Sequence, residues 1–153
     1  ALGVTNFKDL YAQHHATHLF EQFETGAISS EYFFDALRLT SGLPLTNQQI
    51  TTAWNAMLGH VPPERIAALQ GLAQRYHIYL YSNTNAIHYE AFMQLFGQQY
   101  PNINFNGIFK KAYYSHSFGY RKPYVTSYQK LLEQEGLAAN ETLFIDDTLG
   151  NIE

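Results

Sequence analysis

In the second half of the chain, short apolar runs alternate with stretches of helical period, and this alternation restricts the fold more than any other feature. Pro62-Pro63-Glu64 opens a helix through Leu72 and Ala73, and Ile78-Tyr79-Leu80-Tyr81 then reads as a buried strand running into Ser82-Asn83. A helix from about Ala86 to Phe96 follows, and Lys111-Ala112-Tyr113-Tyr114-Ser115 reads as a second, weaker strand. A helix from Val125 to Gln134 stops at Gly136, and Thr142-Leu143-Phe144-Ile145 reads as a third strand that ends in Asp146-Asp147. Strands separated by helices in this way lie parallel, with the helices as crossovers. The expected class is therefore α/β, with a Rossmann-like parallel sheet.

The first part of the chain has a different period. From about Asn6 to Leu58 apolar residues recur at three and four: Phe7, Leu10, Tyr11; Leu19, Phe20, Phe23; Tyr32, Phe33, Ala36, Leu37. Four short helices are expected, with Ser29-Ser30 and Thr46 as helix starts and Gly42 and Pro44 as breaks. The division is thus a small helical bundle over residues 1–60 and a partial α/β core over 61–153.

Composition excludes several classes of function. No stretch approaches the roughly 18 apolar residues of a membrane span. The formal net charge of -4 argues against a nucleic-acid or acidic-membrane surface, so a bound phosphate must be held by a few local groups. The absence of cysteine rules out disulfides and thiolate metal sites and suits a reducing cytoplasm. His14 and His18 are four apart, as zinc ligands on a helix would be, but no third ligand accompanies them. Trp54, with Leu58, reads as helical-bundle core rather than as a platform for a sugar.

Sites in open parallel sheets form at the carboxyl ends of the strands. Ser82-Asn83 follows the first strand and Asp146-Asp147 the third, while Lys122 lies in a loop after the second. Adjacent carboxylates repel, and a divalent cation relieves the repulsion; oxygen ligands without His or Cys favour a hard ion such as Mg²⁺. Lys122 would then offset phosphate charge, with the Ser82 hydroxyl and the following backbone N–H groups donating hydrogen bonds.

These segments resemble a known family. Tyr79-Leu80-Tyr81-Ser82-Asn83-Thr84-Asn85, then Gly119-Tyr120-Arg121-Lys122-Pro123, then Phe144-Ile145-Asp146-Asp147 with Asn151-Ile152-Glu153, are similar to the second, third and fourth motifs of haloacid dehalogenase-like hydrolases. The segment with Gly26-Ala27-Ile28-Ser29 and Phe33 resembles the cap of a branch that includes phosphatases of α-glucose 1-phosphate. The resemblance implies a doubly wound sheet with the helical bundle inserted as a cap. It implies that Ser82 binds the transferring phosphoryl group, that Lys122 stabilises its charge, that Asp147 helped by Asp146 holds Mg²⁺, that Asn83 contributes to the phosphate or substrate pocket, and that Asn151 lies in the metal's outer shell. The substrate implied is a small phosphorylated metabolite, with sugar phosphates among the candidates.

The family's first motif, an Asp-x-Asp pair that supplies the nucleophile, does not occur in this sequence. The start at Ala1 without Met and the end within an apparent helical turn agree with a fragment of a longer enzyme, inactive as given. A haloacid dehalogenase, which needs no metal, and a phosphoglucomutase-like enzyme share the layout. A non-catalytic binding module using the aromatic helical surface is the alternative of another class.

Overall fold

The structure is a computed structural model that describes residues 14–152. Phe7, Leu10 and Tyr11, expected on a first helix, lie outside the described residues, as does the side chain of His14. Helices α1 (His14–Glu24), α2 (Ser30–Ser41) and α3 (Asn47–Asn55) form the helical unit. Their limits follow from local chemistry. The Ser29 hydroxyl accepts from the Tyr32 N–H at the start of α2, and Gly42 closes that helix at φ 66°. Thr46 and Gln49 form a reciprocal capping box at the start of α3.

The apolar stripes of these helices meet in an aromatic core. Phe33 is fully buried and stacks on Phe23 with ring centroids 4.1 Å apart, while Trp54 stacks on Phe20 at 5.3 Å. Trp54 is therefore core, as its sequence context indicates. Ile87, from the other half of the chain, belongs to the same cluster. The helical unit and the α/β part consequently share buried surface.

The α/β part runs α4 (Pro63–Ala73), β1 (Tyr79–Ser82), α5 (Ala86–Gln99), β2 (Lys111–Tyr114), α6 (Ser115–Phe118) and α7 (Val125–Glu135). Strands β1 and β2 are parallel, with Tyr79 beside Lys111 and Ser82 beside Tyr114. Ile66, Phe96, Phe105 and Phe109 make a second core beneath them, joined by Ile78 and Leu80. Among the described residues no helix is long and apolar enough to cross a membrane.

The third strand differs from expectation. Among the described residues the sheet has only β1 and β2, and 142–145 has no strand pairing. An apolar run becomes a strand only when a neighbour completes its backbone hydrogen bonds. Here Phe144 packs edge-on against Tyr128 at 5.1 Å, whereas Leu143 and Ile145, on alternate sides, are 82% and 81% exposed. The side-chain alternation of a strand is present; the ladder is not.

One glycine sets how the two parts meet. Gly26 follows α1 at φ +70°, and a Cβ there would stand 2.1 Å from the His116 carbonyl oxygen on α6. Only glycine permits both the dihedral and this approach.

Candidate functional site

Three segments converge at the carboxyl end of β1. The Lys122 ammonium donates to the Asp146 carboxylate at 2.5 Å and to the Tyr81 carbonyl at 3.0 Å. It lies 5.4 Å from the Tyr81 ring centroid and 5.6 Å from that of Phe144. The side chains of Lys122 and Asp146 are only 9% and 7% exposed, so the pair is largely shielded from water and weakly screened. Asp146 also accepts from the Thr148 N–H and the Asn151 amide, each at 2.9 Å. Burial alone would raise the Asp146 pKa; hydrogen bonds from Lys122, Asn151 and Thr148, with the lysine's charge, outweigh it and hold the carboxyl at about 2.

Asp147 is placed differently. It is exposed, and among the described residues it has no hydrogen-bond or ion-pair partner. The Ser82 hydroxyl, one residue beyond the carbonyl that Lys122 grips, is likewise without a protein partner among the described residues. Ser82 and Asp147 thus each follow directly on a residue that the Lys122 ammonium binds, Tyr81 and Asp146. The donor set suits a hard cation that keeps waters, since Mg²⁺ usually takes one or two carboxylates from the protein. Among the described residues there is no group of three or more His, Cys, Asp or Glu residues that could hold a metal ion.

The polar groups around Ser82 are engaged within the chain. The Asn83 side chain meets the Lys122 main chain: Oδ1 accepts from the Lys122 N–H and Nδ2 donates to the Lys122 carbonyl, both at 2.9 Å. The backbone N–H groups after Ser82 were expected to face a phosphate, yet that of Thr84 donates to the Ser115 hydroxyl at 2.8 Å. The Asn151 amide donates to the Asp146 carboxylate at 2.9 Å.

The sequence reading missed Ser115 and Arg121. The Ser115 hydroxyl, fully buried at the end of β2, accepts from the Thr84 N–H and donates to the Thr84 carbonyl. The rule that points to Ser82 and Asp146, a polar residue just past an apolar strand, also picks out Ser115. Arg121 donates to Glu21 and Glu24 of α1 at 2.8 and 2.9 Å, which ties the helical unit to the residue next to Lys122. No local signal forecasts a pairing across about 100 positions. An open cleft bordered by Glu21, Thr25, Arg121, Tyr124 and Ser127 lies at this junction.

Comparison with known proteins identifies the family. A family model described as haloacid dehalogenase-like hydrolase matches residues 13–153. The chain is 28% identical over 153 residues to a D-ribitol-5-phosphate phosphatase of Bacteroides thetaiotaomicron, covering 99% of this chain and 73% of the relative. It is 32% identical over 133 residues to a sesquiterpene phosphatase of Aspergillus oryzae, covering 86% of this chain and 64% of that protein. Among solved structures, an alanine variant of a haloacid dehalogenase family enzyme from Bacteroides thetaiotaomicron, in complex with magnesium and inorganic phosphate, superposes with a TM-score of 0.89. That structure is 31% identical, and the match covers 98% of this chain and 74% of the other.

Proposed function

Because the chain belongs to the haloacid dehalogenase-like hydrolases and resembles their phosphatases, we propose that the full-length polypeptide is a Mg²⁺-dependent phosphatase of small phosphate monoesters, sugar or polyol phosphates among them. The observation that carries this reading is the buried Lys122–Asp146 pair, which also binds the carbonyl of Tyr81, the residue before Ser82, while Asp147, next to Asp146, has no partner among the described residues.

In this reading Ser82 donates its hydroxyl proton to a non-bridging oxygen of the phosphoryl group. Lys122 faces the same group and offsets the charge that spreads over its oxygens during transfer. Asp146 holds Lys122 in place. Asp147, with help from Asp146, would hold Mg²⁺, which when bound would neutralise phosphate charge. The attacking carboxylate would come from polypeptide outside the sequence given, because no Asp-x-Asp pair occurs within it. That carboxylate would attack phosphorus in line and displace the alcohol, and water would then release phosphate from the resulting acyl phosphate, regenerating the carboxylate. Residues 1–60 act as a cap whose closure excludes water and selects the substrate. The contacts of Arg121 with α1, and of Gly26 with His116, support that role.

The test is turnover by the full-length protein of p-nitrophenyl phosphate, D-ribitol 5-phosphate and α-glucose 1-phosphate, with Mg²⁺ and with EDTA. Phosphate release that disappears with EDTA and returns with Mg²⁺ is expected. Halide release from a 2-haloacid in the presence of EDTA, without phosphate release, would sink the reading.

A further inference from the structure

We infer that Asn83 is a positioning residue that acts through Lys122, rather than a ligand of phosphate or substrate; the inference rests on the phosphatase reading for its catalytic consequence but not for its geometry. The Asn83 amide meets the main chain of Lys122 as a neighbouring strand would, accepting from its N–H and donating to its carbonyl, both at 2.9 Å. Both polar atoms of the side chain are thereby engaged. An amide so placed has one hydrogen of its NH₂ left, and nothing in the arrangement aims it at the rim where Ser82 and Asp147 are free.

The consequence follows from the chemistry of lysine. Its charge sits on a flexible four-carbon stem, and holding that charge in one place requires fixing both ends. The far end is fixed by Asp146 and the Tyr81 carbonyl. The near end is the Lys122 backbone, which lies in a loop between α6 and α7 outside any strand. Asn83 replaces the missing ladder there, 39 positions away in sequence. Its own position is set in turn by β1 before it and by the Ser115 clasp on Thr84 after it. The ammonium is thus referred to the sheet twice, once through its head and once through its backbone.

Two variants of the full-length protein test this, Asn83→Ala and Asn83→Asp. Asp retains the acceptor for the Lys122 N–H and loses the donor to the carbonyl. In Asn83→Ala, kcat should fall by about 10- to 100-fold, the scale of a small misplacement at a reacting centre, with KM within about 3-fold. Hydrogen exchange at the Lys122 amide, followed by NMR or fragment mass spectrometry, should quicken in Asn83→Ala and stay slow in Asn83→Asp, whose kcat should lie between alanine and the parent. A rise in KM at unchanged kcat would make Asn83 a substrate ligand and overturn the inference, as would an unchanged Lys122 exchange rate. If Asn83→Ala is not folded, Asn83→Asp decides alone: slow Lys122 exchange with reduced kcat supports the inference, and either fast exchange or parental kcat overturns it. Absence of phosphatase activity in the parent would count against the function proposed above, while the exchange measurement would still report on Asn83.

Discussion

The end of β1 and the end of the 142–145 segment each present one free oxygen group beside a tethered neighbour, but they are tethered by different physics. After β1, the chain is held by neutral hydrogen bonds: Ser115 clasps both polar groups of Thr84, and Asn83 clasps both of Lys122. After 145, the chain is held by a charge, since Asp146 is bound to the Lys122 ammonium and by Thr148 and Asn151 from its own turn. The difference follows from pairing. Strand β1 has a neighbour in β2, whose end supplies Ser115, whereas 142–145 has no ladder partner among the described residues and leans on Tyr128 and Lys122. Where a sheet fixes the backbone, neutral bonds complete the job; where it does not, an ion pair locates the segment.

The largest effect should come from breaking that ion pair. Asp146→Asn leaves the Lys122 charge buried with weaker partners, and loss of one member of a buried pair destabilises by about 3–5 kcal/mol. Because asparagine still accepts from Thr148 and Asn151, a cost near the lower figure is expected in urea unfolding of the full-length protein. A cost below about 1 kcal/mol, the size of an exposed pair, would mean that the segment is located by something other than the charge.

The neutral clasp should matter less. Ser115→Ala removes one hydroxyl and leaves the Thr84 N–H and carbonyl, both in a partly buried loop, without their partner. The expected destabilisation is about 1–3 kcal/mol, checked by the same unfolding experiment. Salt sharpens the contrast: the penalty for Ser115→Ala should be the same at low and high ionic strength, since no charge is involved. A penalty larger than that of Asp146→Asn would reverse the ranking of the two tethers.

How much of this was legible in the sequence divides along the same line. The helix caps at Ser29, Thr46 and Gly136, the aromatic core of the helical unit and both strands of the sheet follow from local pattern, because those elements are decided by residues close in sequence. The approach of Lys122 to Asp146 and to the end of β1 agrees with the placing of polar residues at strand ends. The pairing of 142–145 was not legible, because an apolar run states that a residue wants burial and says nothing about which backbone will lie beside it. The contacts of Asn83 and Arg121 were not legible for a related reason: their partners lie 39 and about 100 positions away, and only the folded chain brings them together.

The smallest effect on stability, and the most informative one, should come from Asp147→Asn. Asp147 is exposed and has no partner among the described residues, so removing its charge gives up no tether and relieves repulsion from Asp146. Stability without metal should change by less than about 0.5 kcal/mol, the ordinary range for a surface substitution. Binding of Mg²⁺, followed by titration calorimetry, should nevertheless weaken by at least about 10-fold, since few protein carboxylates are available to the ion and one would be gone. The two readouts are independent. If Asp147→Asn destabilised the metal-free protein as much as Asp146→Asn, both carboxylates would be structural, and the division between a tethered and a free member of each strand end would fail. If stability is kept and Mg²⁺ affinity lost, then the group the fold leaves unsatisfied is the one that meets the ion, and its tethered neighbour serves to keep it there.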